Sequence, residues 1–156
     1  MSAPTIAAMN LKNVLSKDFV AIDLQAKDKL AVIDALLELL DRSGKIKDFA
    51  KAKSAVLERE RKMSTGMKHG IAIPHGKCDA VDELIACIGI SRSPVDFDSL
   101  DGEPCRIFIM TISPAEKTGP HLKFLAEVSS LFKSAEKREA LLAAKTREEI
   151  VRILVE

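Results

Sequence analysis

The sequence predicts an α/β fold in which one β-sheet is covered by helices on both faces. Two patterns carry that prediction. Three short apolar runs, Ile71–Ile73, Leu84–Ile90 and Cys105–Ile112, are bounded by glycine, proline or turn-forming residues and read as strands. The last two are nearly continuous rather than alternating, as in strands buried on both sides. Between and around them lie segments with apolar residues at helical spacing, the clearest being Lys27–Arg42.

In chain order, residues 1–8 read as a loose tail ahead of a single domain over 9–156, and Met9–Leu15 as a short helix. Phe19–Leu24 is rich in β-formers and predicts a strand. In Lys27–Arg42 the stripe is Leu30, Ile33, Leu37 and Leu40, widened by Val32, Leu36 and Leu39, with Gly44 placed to end the helix. A second helix runs from Phe49 to Lys62, with Phe49, Ala52, Val56 and Leu57 toward the core. Its end carries Arg59, Arg61 and Lys62, where cations complement the helix dipole. Met63–Gly66 follows as a turn. Pro74 should terminate the Ile71–Ile73 strand, leaving His75 just past its end and Gly76 free for close approach of a second body. Ser91–Pro94 reads as a turn, Val95–Phe97 as a short strand, and Asp101-Gly102 as a turn before Cys105–Ile112. Thr118 is placed to cap a helix over His121–Lys133 striped by Leu122, Leu125, Val128 and Phe132. Two short helices, 135–144 and 147–154, complete the chain, the last opening on a capping box at Thr146.

Composition narrows the function classes. With 24 basic and 23 acidic residues, the chain lacks the net positive charge of a general nucleic-acid binder. Without tryptophan or tyrosine it also has few residues on which to stack bases. No apolar stretch is long enough to insert in a membrane, and no signal core follows the N-terminus. Cys78, Cys87 and Cys105 are odd in number and lack C-x-x-C spacing, so they read as free thiols of a reducing cytoplasm.

Chemistry concentrates in Gly66–Lys77. A histidine at a strand end is held rigidly yet reachable, which suits a nucleophile, although on position alone a structural or incidental role is the ordinary reading. Cys78 could pair with His75 or be a small loop residue. His69 reads as an exposed turn residue. The spacing of His69, His75 and His121 is looser than zinc ligand pairs. No P-loop and no nucleophile elbow occurs. Arg59, by itself, reads first as a surface residue at a helix end.

The run Arg59-Glu60 … Ser64-Thr65-Gly66 … Gly70-Ile71-Ala72-Ile73-Pro74-His75-Gly76-Lys77 resembles the active-site segment of enzyme IIA of the bacterial phosphotransferase system, fructose/mannitol type. The likeness continues through Pro94–Asp98 and Pro120–Leu125, and its wording is nearer the nitrogen-regulatory group. Arg61-Lys62-Met63 and Met67-Lys68 depart from the usual pattern. The resemblance implies a central mixed sheet flanked by helices. It also implies that His75 accepts a phosphoryl group from HPr or its nitrogen-branch counterpart, with His121 and Arg59 as helpers. Ser64, Thr65 and the backbone near Gly76 are weaker phosphoryl ligands. Onward partners would be a regulatory protein or a IIB subunit. A phosphohistidine donor is already activated, so no metal or other cofactor is required. Phosphoryl transfer is then a matter of positioning and electrostatics around a neutral imidazole, with the helix dipole expected to depress the His121 pKa. A domain that keeps the fold and only binds is the alternative of another class.

Overall fold

In the computed structural model, residues 17–155 are described, so the expected N-terminal tail and first short helix lie outside the described residues. A 3-10 turn over Lys17–Phe19 leads into β1 (Val20–Ala21). Helices α1 (Lys29–Asp41) and α2 (Phe49–Lys62) follow, then β2 (Ile71–Ala72), β3 (His75–Lys77), β4 (Ile85–Val95) and β5 (Cys105–Ser113). Three helices close the chain: α3 (Thr118–Leu131), α4 (Ala135–Ala143) and α5 (Arg147–Val155). None of these helices is long and apolar enough to cross a membrane.

The sheet is mixed, as expected. Its order is β1-β4-β5-β2, with β3 also paired to β5. β4 and β5 run antiparallel, whereas β1, β2 and β3 join parallel to their neighbours. Side-chain alternation along β5 divides the core in two. Phe108, Met110 and Ile112 pack with Leu36, Leu37, Leu40, Ala52 and Val56 under α1 and α2. Ile107 and Ile109 pack with Phe124, Val128, Leu141 and Ile150 under α3, α4 and α5. Both faces are therefore dry, which is why β4 and β5 read as continuous apolar runs.

Several element boundaries differ from the sequence expectation. α1 begins at Lys29 because the Asp28 side chain accepts the Ala31 N–H at 2.8 Å and caps it. Leu30 lies on the solvent side of that cap, 62% exposed, and is not part of the core stripe. Ser91–Pro94 continues β4 instead of turning the chain. The register shifts between Ile90 and Val95, an irregularity that tolerates Pro94, whose missing N–H would interrupt a regular ladder. Phe49 is half exposed, while Ala52 and Val56 are fully buried. α3 starts at Thr118, follows Lys117 and has no side-chain cap. Its buried face is His121, Phe124 and Val128, and Leu122, expected inside, is 59% exposed. All three cysteines are free and buried, Cys78 included.

Candidate functional site

His75 does not trail a strand; it opens one. Pro74 separates β2 from β3, and β3 pairs parallel with β5 in the register His75↔Thr111, Gly76↔Ile112, Lys77↔Ser113. Alternation then sends His75 and Lys77 to the α3 face and Gly76 to the α2 face. The second body that approaches Gly76 is the protein's own helix. A Cβ there would stand 3.0 Å from Val56 N and 3.1 Å from Ala55 C. Glycine thus lets α2 lie directly on β3, and Arg59, further along the same helix, is near enough to act on the His75 pKa.

The His75 ring is fixed by its neighbour two residues back. Nδ1 lies 2.8 Å from the Ile73 carbonyl oxygen, an acceptor, so Nδ1 carries the hydrogen and donates it. Nε2 is left with its lone pair. The His75 pKa is lowered from its ordinary value, first by burial. The Ile73 carbonyl and Glu60 oppose that shift, while the Arg59 and Lys77 cations add to it. The net effect is a ring that is neutral at neutral pH.

His121, in the first turn of α3, stands beside it. The two ring centroids are 5.2 Å apart, tilted by 56°. Nδ1 of His121 lies 2.6 Å from Ser113 Oγ, both residues being buried. Its pKa is lowered to about 4, principally by burial, then by His75 and Lys77. The expected direction holds, but burial, the His75 ring and the Lys77 cation account for it, not the helix dipole. Lys77 Nζ reaches to 3.5 Å from Thr118 Oγ1, across the gap between β3 and α3.

Arg59 donates through Nη1 to the Met63 carbonyl at 2.7 Å, which holds the guanidinium at the helix end and leaves its other N–H groups available. Next to it, Glu60 is buried and organises the following turn. Its carboxylate accepts the Thr65 N–H at 2.8 Å and the Thr65 hydroxyl at 2.5 Å, and pairs with Lys29 Nζ at 2.8 Å. The Ser64 hydroxyl donates to Phe97 O at 2.5 Å and accepts from Gly66 N at 3.0 Å. Both hydroxyl protons are thereby engaged in building the turn that joins Arg59 to β2, and neither is free for an anion.

Of the residues singled out in the sequence, His75 and His121 stand ring beside ring, and the Arg59 guanidinium is near enough to lower the His75 pKa. Ser64, Thr65 and Gly76 serve the site's construction. His69 is exposed and donates its N–H to Asp101 at 3.0 Å, away from the ring pair. Three contributors were not read from the sequence: Ser113, Glu60 as the turn's anchor, and Lys77. Parallel register alone could have suggested Ser113, since it places Ser113 and Lys77 side by side. Chemically, the cleft offers one imidazole lone pair, a second neutral imidazole and two cations, an arrangement suited to a multiply charged anion bound to His75.

Comparison with known proteins gives the same direction. Residues 13–156 match the family model described as phosphoenolpyruvate-dependent sugar phosphotransferase system, EIIA 2. The chain is 35% identical over 146 residues to the fructose-specific EIIABC component of Bacillus subtilis, covering 94% of this chain but only 23% of that longer protein. It is 30% identical to the fructose-specific EIIA component of Haloferax volcanii, covering 94% of this chain and 96% of that one. Among solved structures, nitrogen regulatory protein IIA-Ntr from Neisseria meningitidis superposes with a TM-score of 0.85 at 29% identity, covering 91% and 97% of the two chains.

Proposed function

We propose, on the premise that the chain belongs to the EIIA 2 family of the phosphoenolpyruvate-dependent sugar phosphotransferase system, that His75 is its phosphoryl acceptor. The observation that carries the reading is the hydrogen bond from His75 Nδ1 to Ile73 O, which leaves Nε2 as a positioned, unprotonated nucleophile. Nε2 attacks the phosphorus of a phosphohistidine on an HPr-type donor. The new P–N bond forms at Nε2 as the donor's P–N bond breaks, its electron pair returning to the donor imidazole. The charge on the three equatorial oxygens is met by the Arg59 guanidinium, by one N–H of neutral His121 and by the Lys77 ammonium. Arginine suits the first task because its planar fork binds two oxygens at once. Exposed Met63, whose carbonyl accepts from Arg59, and exposed Leu122, next to His121 in the chain, would give the site an apolar rim suited to a protein donor rather than a small molecule.

The test is direct. Incubated with enzyme I, an HPr-type carrier and phosphoenolpyruvate, the protein should acquire one acid-labile phosphoryl group, mapped by mass spectrometry to His75. The His75→Ala protein should acquire none. An unmodified wild-type protein with a competent donor set would favour a domain that only binds.

Of the two branches, we favour nitrogen regulation in the cytoplasm, supported by the likeness to the Neisseria IIA-Ntr structure. There, phosphorylation would change the charge of the cleft and so the choice of a regulatory partner. The 35% and 30% identities to fructose-specific relatives support a second reading, in which His75 hands its phosphoryl group to a IIB cysteine. Rapid loss of the label to an added fructose-type IIB domain would select that second reading, and retention the first.

A further inference from the structure

The site holds two histidines 5.2 Å apart that are chemically identical in the unfolded chain. Phosphoryl transfer to one of them requires that they differ. Their second partners supply the difference, because the two partners have opposite hydrogen-bond character. Ile73 presents a carbonyl oxygen to His75 Nδ1, and a carbonyl can only accept. Ser113 presents a hydroxyl to His121 Nδ1, and a hydroxyl can donate.

Ser113 is fully buried at the end of β5. Its hydroxyl has a single partner among the described residues, His121 Nδ1 at 2.6 Å. If Nδ1 carried the hydrogen and the hydroxyl accepted it, the hydroxyl's own hydrogen would be buried with no acceptor, a costly arrangement. If the hydroxyl donates, its hydrogen is satisfied and Nδ1 supplies the lone pair. The hydrogen of the neutral ring then sits on Nε2. Among the described residues the one buried side-chain nitrogen or oxygen without a partner is Glu127 Oε2. The Nε2 of His121, which makes no hydrogen bond of its own, is therefore reached by solvent rather than sealed in the core.

We infer that Ser113 is a positioning residue that holds His121 in its Nε2–H form, making it a hydrogen-bond donor to the phosphoryl group and barring it from acting as a competing nucleophile. The inference rests on the acceptor role proposed for His75. Ile73 makes one ring a nucleophile and Ser113 makes the other a donor, so the division of labour is written in a backbone carbonyl of the β2–β3 link and a hydroxyl at the end of β5. A bonded proton on Nε2 of His121 also means that a phosphoryl group bound to His75 meets N–H, not a repelling lone pair.

Nitrogen-15 NMR of ring-labelled protein near pH 7 reads each tautomer without any phosphoryl chemistry. Wild-type His121 should show a protonated Nε2 and a bare Nδ1, with His75 the reverse. In Ser113→Ala the His121 signals should move toward a mixture of tautomers while those of His75 stay fixed, which also reports that the site is folded. Transfer onto His75 should fall about tenfold, and Ser113→Thr, which retains a hydroxyl, should restore most of it. A wild-type His121 carrying its hydrogen on Nδ1, or a tautomer unchanged in Ser113→Ala, would overturn the assignment. The expected tautomers in a protein that never accepts a phosphoryl group would support the Ser113 assignment and remove the acceptor role of His75 instead.

Discussion

At the scale of single residues, Arg59 is the side chain whose chemistry is least replaceable by charge alone. One of its nitrogens is committed to Met63 O at 2.7 Å, which restrains the guanidinium at the end of α2, and its charge is felt by the His75 ring. Lysine at this position would keep the charge but lose the anchoring bond and the two-oxygen grip. Arg59→Lys should therefore slow phosphorylation of the protein by about tenfold or more, roughly 1.4 kcal/mol of transition-state stabilisation, with little change in melting temperature. Stopped-flow quench with a labelled HPr-type donor would measure it, and a wild-type rate would remove Arg59 from the cleft's chemistry. The three candidate residues were legible in the sequence only through the wording of the motif, because each alone has an ordinary structural reading. Their partners were not. That Ile73 O holds one ring and Ser113 Oγ the other depends on strand register and helix phase, which no local pattern contains. The turn residues Ser64 and Thr65 have hydroxyls of the right kind for an anion. The buried Glu60, four residues before Ser64, takes the Thr65 hydroxyl first.

At the scale of elements, the site depends on how closely α2 lies on β3. Gly76 is the contact. Its missing Cβ would come within 3.0 Å of Val56 N and 3.2 Å of the Ala55 side chain. Backbone cannot yield as a flexible side chain can, so Gly76→Ala should push α2 outward or shift β3. The expected cost is about 1–3 kcal/mol, a fall in melting temperature of roughly 2–12 °C for a chain of this size. Since Arg59 and His75 ride on the two displaced elements, transfer should fall further than Arg59→Lys alone produces. Thermal denaturation beside the transfer assay checks both. A melting temperature within 1 °C of wild type, at about the resolution of the measurement, would mean that the helix does not rest there. Helices were the most legible elements, and α2 runs over Phe49–Lys62 as its periodicity predicts. Along α3, Val128 and Phe132 are buried and Leu125 packs against the core as expected, and one position of the stripe fails. Leu122 looked like core, but the buried place at that turn belongs to His121, which the sheet needs at its cleft. Ser91–Pro94 looked like a turn because it is polar and carries proline. It lies beyond the short partner β1, which pairs only with Ile88 and Gly89, so its residues Arg92–Pro94 are strand and yet exposed.

At the scale of the whole molecule, the strand order β1-β4-β5-β2 was out of reach of the sequence, since it rests on pairings between distant segments. What could be read was that both faces of the sheet are covered. That arrangement has a consequence for pH. The cleft lies where the α3 side of the core meets the sheet, and folding places two histidines there with depressed pKa values. For His121 the ordinary value of 6.5 drops to about 4. Between those values the unfolded chain binds a proton that the folded protein refuses, so stability is complete above about pH 6.5 and declines as pH falls toward 4. Integrated over the window, His121 alone would remove at most about 3 kcal/mol, and about 2 kcal/mol by pH 4.5 once partial solvent access at the cleft is allowed for. His75 acts in the same direction. Replacing His121 by glutamine, which stays neutral, removes its share. Urea denaturation at pH 7 and pH 4.5 should therefore show wild type losing about 2 kcal/mol more than His121→Gln between the two conditions. The carboxylates titrate equally in both proteins and cancel in the difference. Equal losses would mean that His121 is not held neutral by the fold. Phosphorylation supplies the converse. A phosphoryl group on His75, as proposed, would place negative charge beside His121 and raise its pKa, so in the phosphorylated protein near neutral pH the His121 ring should take up a proton at higher pH than in the unmodified one.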